Sequence, residues 1–181
     1  MNAAAHKQEM ERVVRQAEAR RASQFATVSA SIEAAESAGL LVVDTDRREV
    51  RLLDASFLSG SACLSPAARA AMTLIREPVL RSMREDLGLS VYVEGHTDPV
   101  PVLTLMRACG VFENNTQLST LRATNVREML VGGEPASLRA RMPVTGWGAD
   151  RLLNMKTPTS PENRRVVLRW VYPSETRTVV P

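Results

Sequence analysis

Aromatic residues make up only 4% of the 181-residue chain, which leaves few platforms on which the bases of a single strand could stack. Blocks of one charge sign are missing as well. The net charge of +3 and isoelectric point of about 9.3 come from basic residues scattered among acidic ones, which is not the footprint of a nucleic-acid surface. No stretch approaches the roughly 18 apolar residues of a membrane span. The N-terminus Met1-Asn2-Ala3-Ala4-Ala5-His6-Lys7 has no apolar signal core, so the chain as written reads as soluble. The two cysteines, Cys63 and Cys109, are too few for a disulfide framework and lack metal-ligand spacing. They read as unpaired small hydrophobes, with one bond between loops as the alternative in an oxidising compartment. Nothing calls for a metal or other cofactor.

What is present is a hydrophobic fraction of 44%, enough to fill the core of one domain with an extension. Residues 8 to 38 lack Pro and Gly and put Met10, Val14, Ala17, Phe25, Val28, Ile32 and Ala35 near a three-four spacing. This predicts one long amphipathic helix, interrupted at Arg21, that serves as a linker or a marginal coiled coil. Gly39 ends it. Two short apolar runs, 40–43 and 50–53, flank the turn-rich Asp44-Thr45-Asp46-Arg47 and predict a hairpin. Ser65-Pro66 offers an N-cap and a first helical residue for a helix to about Asp86, with a kink or break near Arg76-Glu77 ahead of Pro78.

Ser90 to Glu94 alternates as a strand, Asn114-Asn115 can cap a helix to about Val131, and 141–147 and 164–171 read as two further strands. Between Val100 and Glu113 lies a connection too apolar for a solvated loop, expected to fold into a short covering helix. The order predicts an α/β (α+β) two-layer sandwich: a mixed four-stranded sheet with helices packed on one face, preceded by the long helix. The expected division is 1–38 linker helix, 39–172 folded domain and 173–181 flexible tail.

Polar residues that break this pattern point to a site. Arg122 falls on the apolar face of its helix, with Leu118, Ala123 and Val126. A guanidinium there is either a structural ion pair, a side chain that snorkels to the edge, or part of a binding site facing the end of a parallel strand, where Asp98 is expected. Arg164 and Arg165 open the last strand, so they point to opposite faces. A carboxylate with two arginines suits a zwitterion: arginine grips carboxylates bidentately, and aspartate pairs with an ammonium. Glu94, His96 and Asp98 alternate in a pattern compatible with a catalytic or metal site, but no second histidine stands nearby and no Ser or Cys has an evident base. The chain therefore reads as a binding protein and not an enzyme, with His96 as scaffold.

The phrase Val91-Tyr92-Val93-Glu94-Gly95-His96-Thr97-Asp98, then Asn115 with Leu118-Ser119-Thr120-Leu121-Arg122-Ala123, then Gly146-Trp147-Gly148 and Asn163-Arg164-Arg165-Val166, resembles the OmpA-like C-terminal domain. Leu118 to Val126, with Pro99-Val100-Pro101 after the Asp, is most similar to the MotB branch of stator proteins. The resemblance implies non-covalent binding of peptidoglycan through the diaminopimelate residue of its stem peptide. Asp98 and Arg122 would grip that residue's amino and carboxylate groups, Asn115 and Arg164 would line the pocket, and Thr97, Leu118 and Ser119 would add contacts. It also implies a periplasmic domain of an inner-membrane-anchored homodimer that works with a MotA-like channel subunit; the anti-phage Zorya systems use a similar wall-anchored subunit. The sequence shows no span of that kind, so residues 8–38 are read as the helix that crosses from membrane to wall. Departures are the insertion from Val102 to Phe112 and Leu152-Leu153-Asn154 in place of a proline-containing loop.

Overall fold

Two side-chain caps start the main helices. Ser65 Oγ accepts from the Ala68 N–H at 3.2 Å, with Pro66 at the first helical position, and Asn114 Oδ1 accepts from the Gln117 N–H at 2.9 Å. In the computed structural model, which describes residues 3–102 and 109–173, these caps open α3 (Pro66–Glu85) and α4 (Asn115–Val131). Before them come α1 (Ala3–Ala30), α2 (Glu33–Ser37), β1 (Leu41–Asp44) and β2 (Glu49–Leu52). Between and after them lie β3 (Ser90–His96), α5 (Ala136–Arg139), β4 (Val144–Gly146) and β5 (Arg165–Val171).

The strands form one mixed sheet in the order β1-β2-β5-β3-β4, antiparallel except for the β3–β4 pair. It has five strands where four were expected, because both arms of the hairpin join it, β2 along β5. Period-two alternation decides the faces. Val50, Leu168 and Val93 lie in one cross-strand row, and Leu52 and Val166 in the next; all are buried beneath the helices. Met72, Ile75, Val79 and Met83 of α3 and Val126 and Leu130 of α4 fill the other side of this core. Each such side chain contributes about 1.5–3 kcal/mol on burial, which is why the amphipathic face and not helix propensity sets the docking of α3.

Several boundaries differ from expectation. The N-terminal segment is two helices. Ser31 N–H is shared between the Thr27 and Val28 carbonyls, and Ile32 N–H bonds to Ser29 O, a tightened last turn that swings Ile32 into the core. Only the second half of the apolar seam is used: Phe25, Val28 and Ile32 are buried, whereas Met10 and Val14 are exposed. Phe25 meets Trp170 edge-on at 5.1 Å, and Arg21, which interrupts the seam, lies 4.1 Å over the Tyr172 ring. Gly39 closes the segment at φ +72°, where a side chain would be strained. Helix α3 runs through Pro78 without a break. The carbonyl that Pro78 cannot satisfy belongs to Leu74, on the exposed side. The strand expected over 141–147 shortens to β4, because α5 forms just before it and Arg141 turns back to donate to Met83, Asp86 and Leu89 carbonyls.

Cys63 and Cys109 are joined in a disulfide across 46 positions, so the reading as unpaired residues is corrected. Their loops meet beside a small apolar cluster of Ala62, Phe112 and Leu118, a proximity that sequence spacing does not reveal. Residues 103–108, on which most of the expected covering helix falls, lie outside the described residues, as does the tail after Pro173.

Candidate functional site

Two glycines set how closely the layers approach. A Cβ on Gly95 of β3 would stand 1.9 Å from the Ser119 carbonyl oxygen, and one on Gly146 of β4 would stand 2.0 Å from Thr120 Oγ1. Both strands therefore press their backbone directly against α4. That contact brings the end of β3 beside the first turns of α4.

Asp98 lies two residues past β3 and is 5% exposed. Its Oδ1 accepts from the Val100 N–H at 3.1 Å, an Asx turn, and its Oδ2 accepts from Arg164 Nη1 at 2.6 Å. Asn115 Nδ2 donates to the carbonyls of Asp98 at 3.2 Å and Val100 at 2.9 Å, so the first residue of α4 fixes this loop. Thr97 donates its N–H to the Gly148 carbonyl at 2.8 Å, while its buried Oγ1 has no partner.

Arg122, 2% exposed, lies on the buried stripe of α4 as its spacing predicts. Its Nε donates to the Ser61 carbonyl at 2.9 Å, and its guanidinium sits 4.7 Å from the Phe57 ring centre. Its Nη1 is 3.5 Å from Asp54 Oδ1 and makes no hydrogen bond. Asp54 Oδ2 in turn is 3.1 Å from Arg164 Nη2. The charges thus run in a chain, Arg122, Asp54, Arg164, Asp98. Burial, the largest influence, pulls Arg122 below the ordinary guanidinium value, and Asp54 opposes it. For Arg164 burial also works against the charge, but its hydrogen bond to Asp98 and the nearness of Asp54 outweigh it, so the net shift is upward.

These groups surround one open cavity of about 600 Å³, within the size range of small-molecule sites. Of the residues expected at the site, Asp98, Arg122, Arg164, Asn115, Thr97 and Leu118 line it, and Val102 and Phe112 add apolar wall. Ser119 is placed otherwise. It is fully buried, its Oγ donating to the Thr116 carbonyl and accepting from the Gly148 N–H, so it ties α4 to the loop behind the site. Asp54 was not foreseen. The available signal was that it follows β2 as Asp98 follows β3, at the same end of the two strands that flank β5.

Glu94, His96 and Asp98 do not converge. Glu94 pairs with Arg169 and, with His96, faces away from the helices, whereas Asp98 has turned into the cavity beside α4. Burial first, then the neighbouring Arg165, push the His96 imidazole down to about 3, so it is neutral at ordinary pH. Among the described residues no group of His, Cys, Asp and Glu is arranged to hold a metal. Asn163, which precedes the two arginines, accepts from the N–H groups of Leu153 and Asn154 and donates to the carbonyls of Asn154, Thr157 and Pro158. One buried amide therefore shapes the loop that departs from the expected proline-containing form.

No protein-family model matches the chain, and no curated protein matches it. Solved structures do. A MotB-like protein from Desulfovibrio vulgaris aligns at a TM-score of 0.63 and 22% identity, over 86% of this chain and 95% of that one. The cell wall anchor of the T6SS from Pseudomonas aeruginosa aligns at 0.59 and 23%, over 80% and 96%. The periplasmic domain of Helicobacter pylori MotB aligns at 0.52 and 14%, over 72% and 80%. At these identities the likeness is one of fold, and it is the fold expected from the four sequence phrases.

Proposed function

We propose that this chain binds peptidoglycan non-covalently, through the diaminopimelate residue of the stem peptide, and anchors a membrane complex to the cell wall. The observation that carries the reading is the convergence of Asp98, Arg122 and Arg164, from three separate elements, on one cavity. Asp98 is the partner for the ligand's ammonium, and Arg122 with Arg164 for its carboxylate. The cavity's two carboxylates and two guanidiniums balance, so a zwitterion enters without leaving a net charge buried. Asp54 stands between the two guanidiniums and plays the part of the ligand carboxylate until it is displaced. The role is binding, not catalysis.

The complex in this reading is a MotB-like stator, working as a homodimer with a MotA-like channel subunit, and residues 1–38 link the membrane to the wall domain at 39–172. The fold of a MotB-like protein and of MotB itself supports that assignment. None of residues 3–20 is buried, which suits a helix that extends beyond the domain. The disulfide suits a periplasmic location, where such bonds persist. The fold of a T6SS wall anchor keeps a different envelope machine as the alternative cargo. A second class of reading, a dimerisation module whose Asp/Arg network is structural, is favoured by the pairing already present among Asp54, Asp98 and Arg164.

Titration calorimetry with a purified diaminopimelate-containing stem peptide tests the binding. The wild type is expected to bind saturably, and Asp98→Ala and Arg122→Ala to lose binding while retaining the native circular dichroism. A wild type that ignores the peptide, with both variants unfolded, establishes the structural network instead.

A further inference from the structure

The face of the sheet that carries no helix holds a second polar cavity, of about 230 Å³. Its floor follows from strand register. Arg165 of β5 lies opposite His96 of β3, Val167 lies between Arg51 of β2 and Glu94 of β3, and Arg169 lies opposite Glu49 of β2. The loop after β4 brings Arg151 to the rim, stacked 3.5 Å from the Trp147 ring centre. Arg47 completes a set of five guanidiniums against two carboxylates, Glu49 and Glu94.

The imbalance is not spread evenly. Glu94 pairs with Arg169, and Asp44, outside the cavity, lies 3.3 Å from Arg51 and 4.0 Å from Arg47. Arg165 and Arg151 are in no ion pair among the described residues. Arg165 is 7% exposed and has only the carbonyls of Asn163 at 3.3 Å and Arg151 at 3.2 Å as acceptors. Burial, the largest influence, pulls this guanidinium below its ordinary value, and its nearest carboxylates, Glu49, Glu94 and Glu162, act on it only from beyond ion-pair distance. Beside it the Nδ1 of His96, itself 3% exposed, has no hydrogen-bond partner, and neither do the Nε atoms of Arg51 and Arg169. Unpaired polar nitrogens, two of them arginine donors, and unbalanced positive charge therefore meet in the same space.

We infer that this cavity is a binding site for an oxyanion, a phosphate or carboxylate group that the Arg151 and Arg165 guanidiniums would hold beside His96. Planar guanidiniums match the paired oxygens of both groups. At about 30 Å³ per water molecule, the cavity has room for one such group with part of its hydration, so the anion is a free ion or the charged end of a larger molecule. Arg164 and Arg165 point to opposite faces, which puts this site on the reverse of the sheet from the cavity of Asp98 and Arg164. The inference stands apart from the peptidoglycan reading.

The test uses the full chain and two probes, each against sodium chloride of equal ionic strength. Inorganic phosphate is titrated by calorimetry, and co-sedimentation compares phosphatidylglycerol vesicles with phosphatidylcholine vesicles. Saturable phosphate binding is expected, weakened roughly tenfold or more in Arg151→Gln and in Arg165→Gln, as for loss of a charged hydrogen-bond donor. Should Arg165→Gln fail to fold, the exposed Arg151→Gln carries the comparison alone. Selective co-sedimentation with phosphatidylglycerol that Arg151→Gln abolishes assigns the site to a lipid headgroup; phosphate binding without it assigns the site to a soluble anion. No saturable binding of either probe, or binding equal in wild type and Arg151→Gln, overturns the inference.

Discussion

Arg164 donates a 2.6 Å hydrogen bond to Asp98 across 66 positions of sequence, and both residues line the same cavity. Asp98→Asn keeps the shape and removes the charge. In the proposed peptidoglycan reading the ligand's ammonium then loses its counter-ion, and Arg164 retains only Asp54. Stem-peptide binding should fall at least about tenfold, with stability reduced by about 1–3 kcal/mol, read by calorimetry and by urea unfolding.

Asp54 gives a sharper test, because its removal moves two observables in opposite directions. It is the only carboxylate in an ion pair with the buried Arg122 among the described residues. Asp54→Ala should therefore destabilise the free protein, by about 1–2 kcal/mol, less than for a fully buried pair because the Asp54 side chain is 37% exposed. It also frees Arg122 Nη1 and Arg164 Nη2 for an incoming carboxylate, while Arg164 Nη1 stays on Asp98, so stem peptide should bind several-fold tighter, on the scale of one charged hydrogen bond. A variant that is both less stable and weaker in binding would show that Asp54 supports the site without competing for it.

Much of this geometry was legible in the sequence because it follows from period. Arg122 on an apolar stripe, two adjacent arginines facing opposite ways, and a strand that ends two residues before Asp98 are all consequences of helical and pleated repeats. Asp54 was not legible, since its role depends on β2 lying beside β5 in the sheet, a non-local pairing. Nor was the Cys63–Cys109 bond, which joins loops from opposite sides of α3 and β3. The break at Ser31-Ile32 was missed for a local reason: the helix has no Pro or Gly there, and the pull of Ile32 into the core outweighs helix propensity.

The close approach of β3 to α4 predicts that Gly95→Ala is severe. Its methyl would overlap the Ser119 carbonyl, a backbone group that cannot move without shifting α4. A loss of about 3 kcal/mol or more is expected from overpacking of this kind. Urea unfolding checks it, and the weaker apparent affinity for stem peptide that a displaced Arg122 entails provides a second readout.

Reduction of the disulfide should loosen the wall of the same site. The bond closes a loop of 46 residues, and cross-linking a loop of that length is worth about 4 kcal/mol in the chain-entropy account. Thermal unfolding with and without reductant, alongside Cys63→Ser with Cys109→Ser, should show a lower midpoint. Both cysteines adjoin the cluster that places Phe112 and Leu118 at the cavity, so reduction should weaken ligand binding too.

His96 predicts how stability depends on pH. Its folded-state value is pushed down to about 3, chiefly by burial, from an ordinary value of 6.5. Below pH 6.5 the unfolded chain therefore takes up a proton that the folded chain refuses. The contribution to stability is complete above the unfolded value, falls as pH drops, and is exhausted near the folded value, with a slope of up to about 1.4 kcal/mol per pH unit in between. Urea unfolding from pH 7 to pH 4 should show this decline. Carboxylates titrate over part of the same range, so the diagnostic quantity is the difference from His96→Asn, whose profile should be shallower by that slope. Ring resonances of His96 that stay in the neutral form at pH 4.5 in the folded protein would agree. A ring that titrates near 6.5 while the protein remains folded would show that the imidazole is hydrated, and with it that the cavity behind the sheet is open to water at its floor.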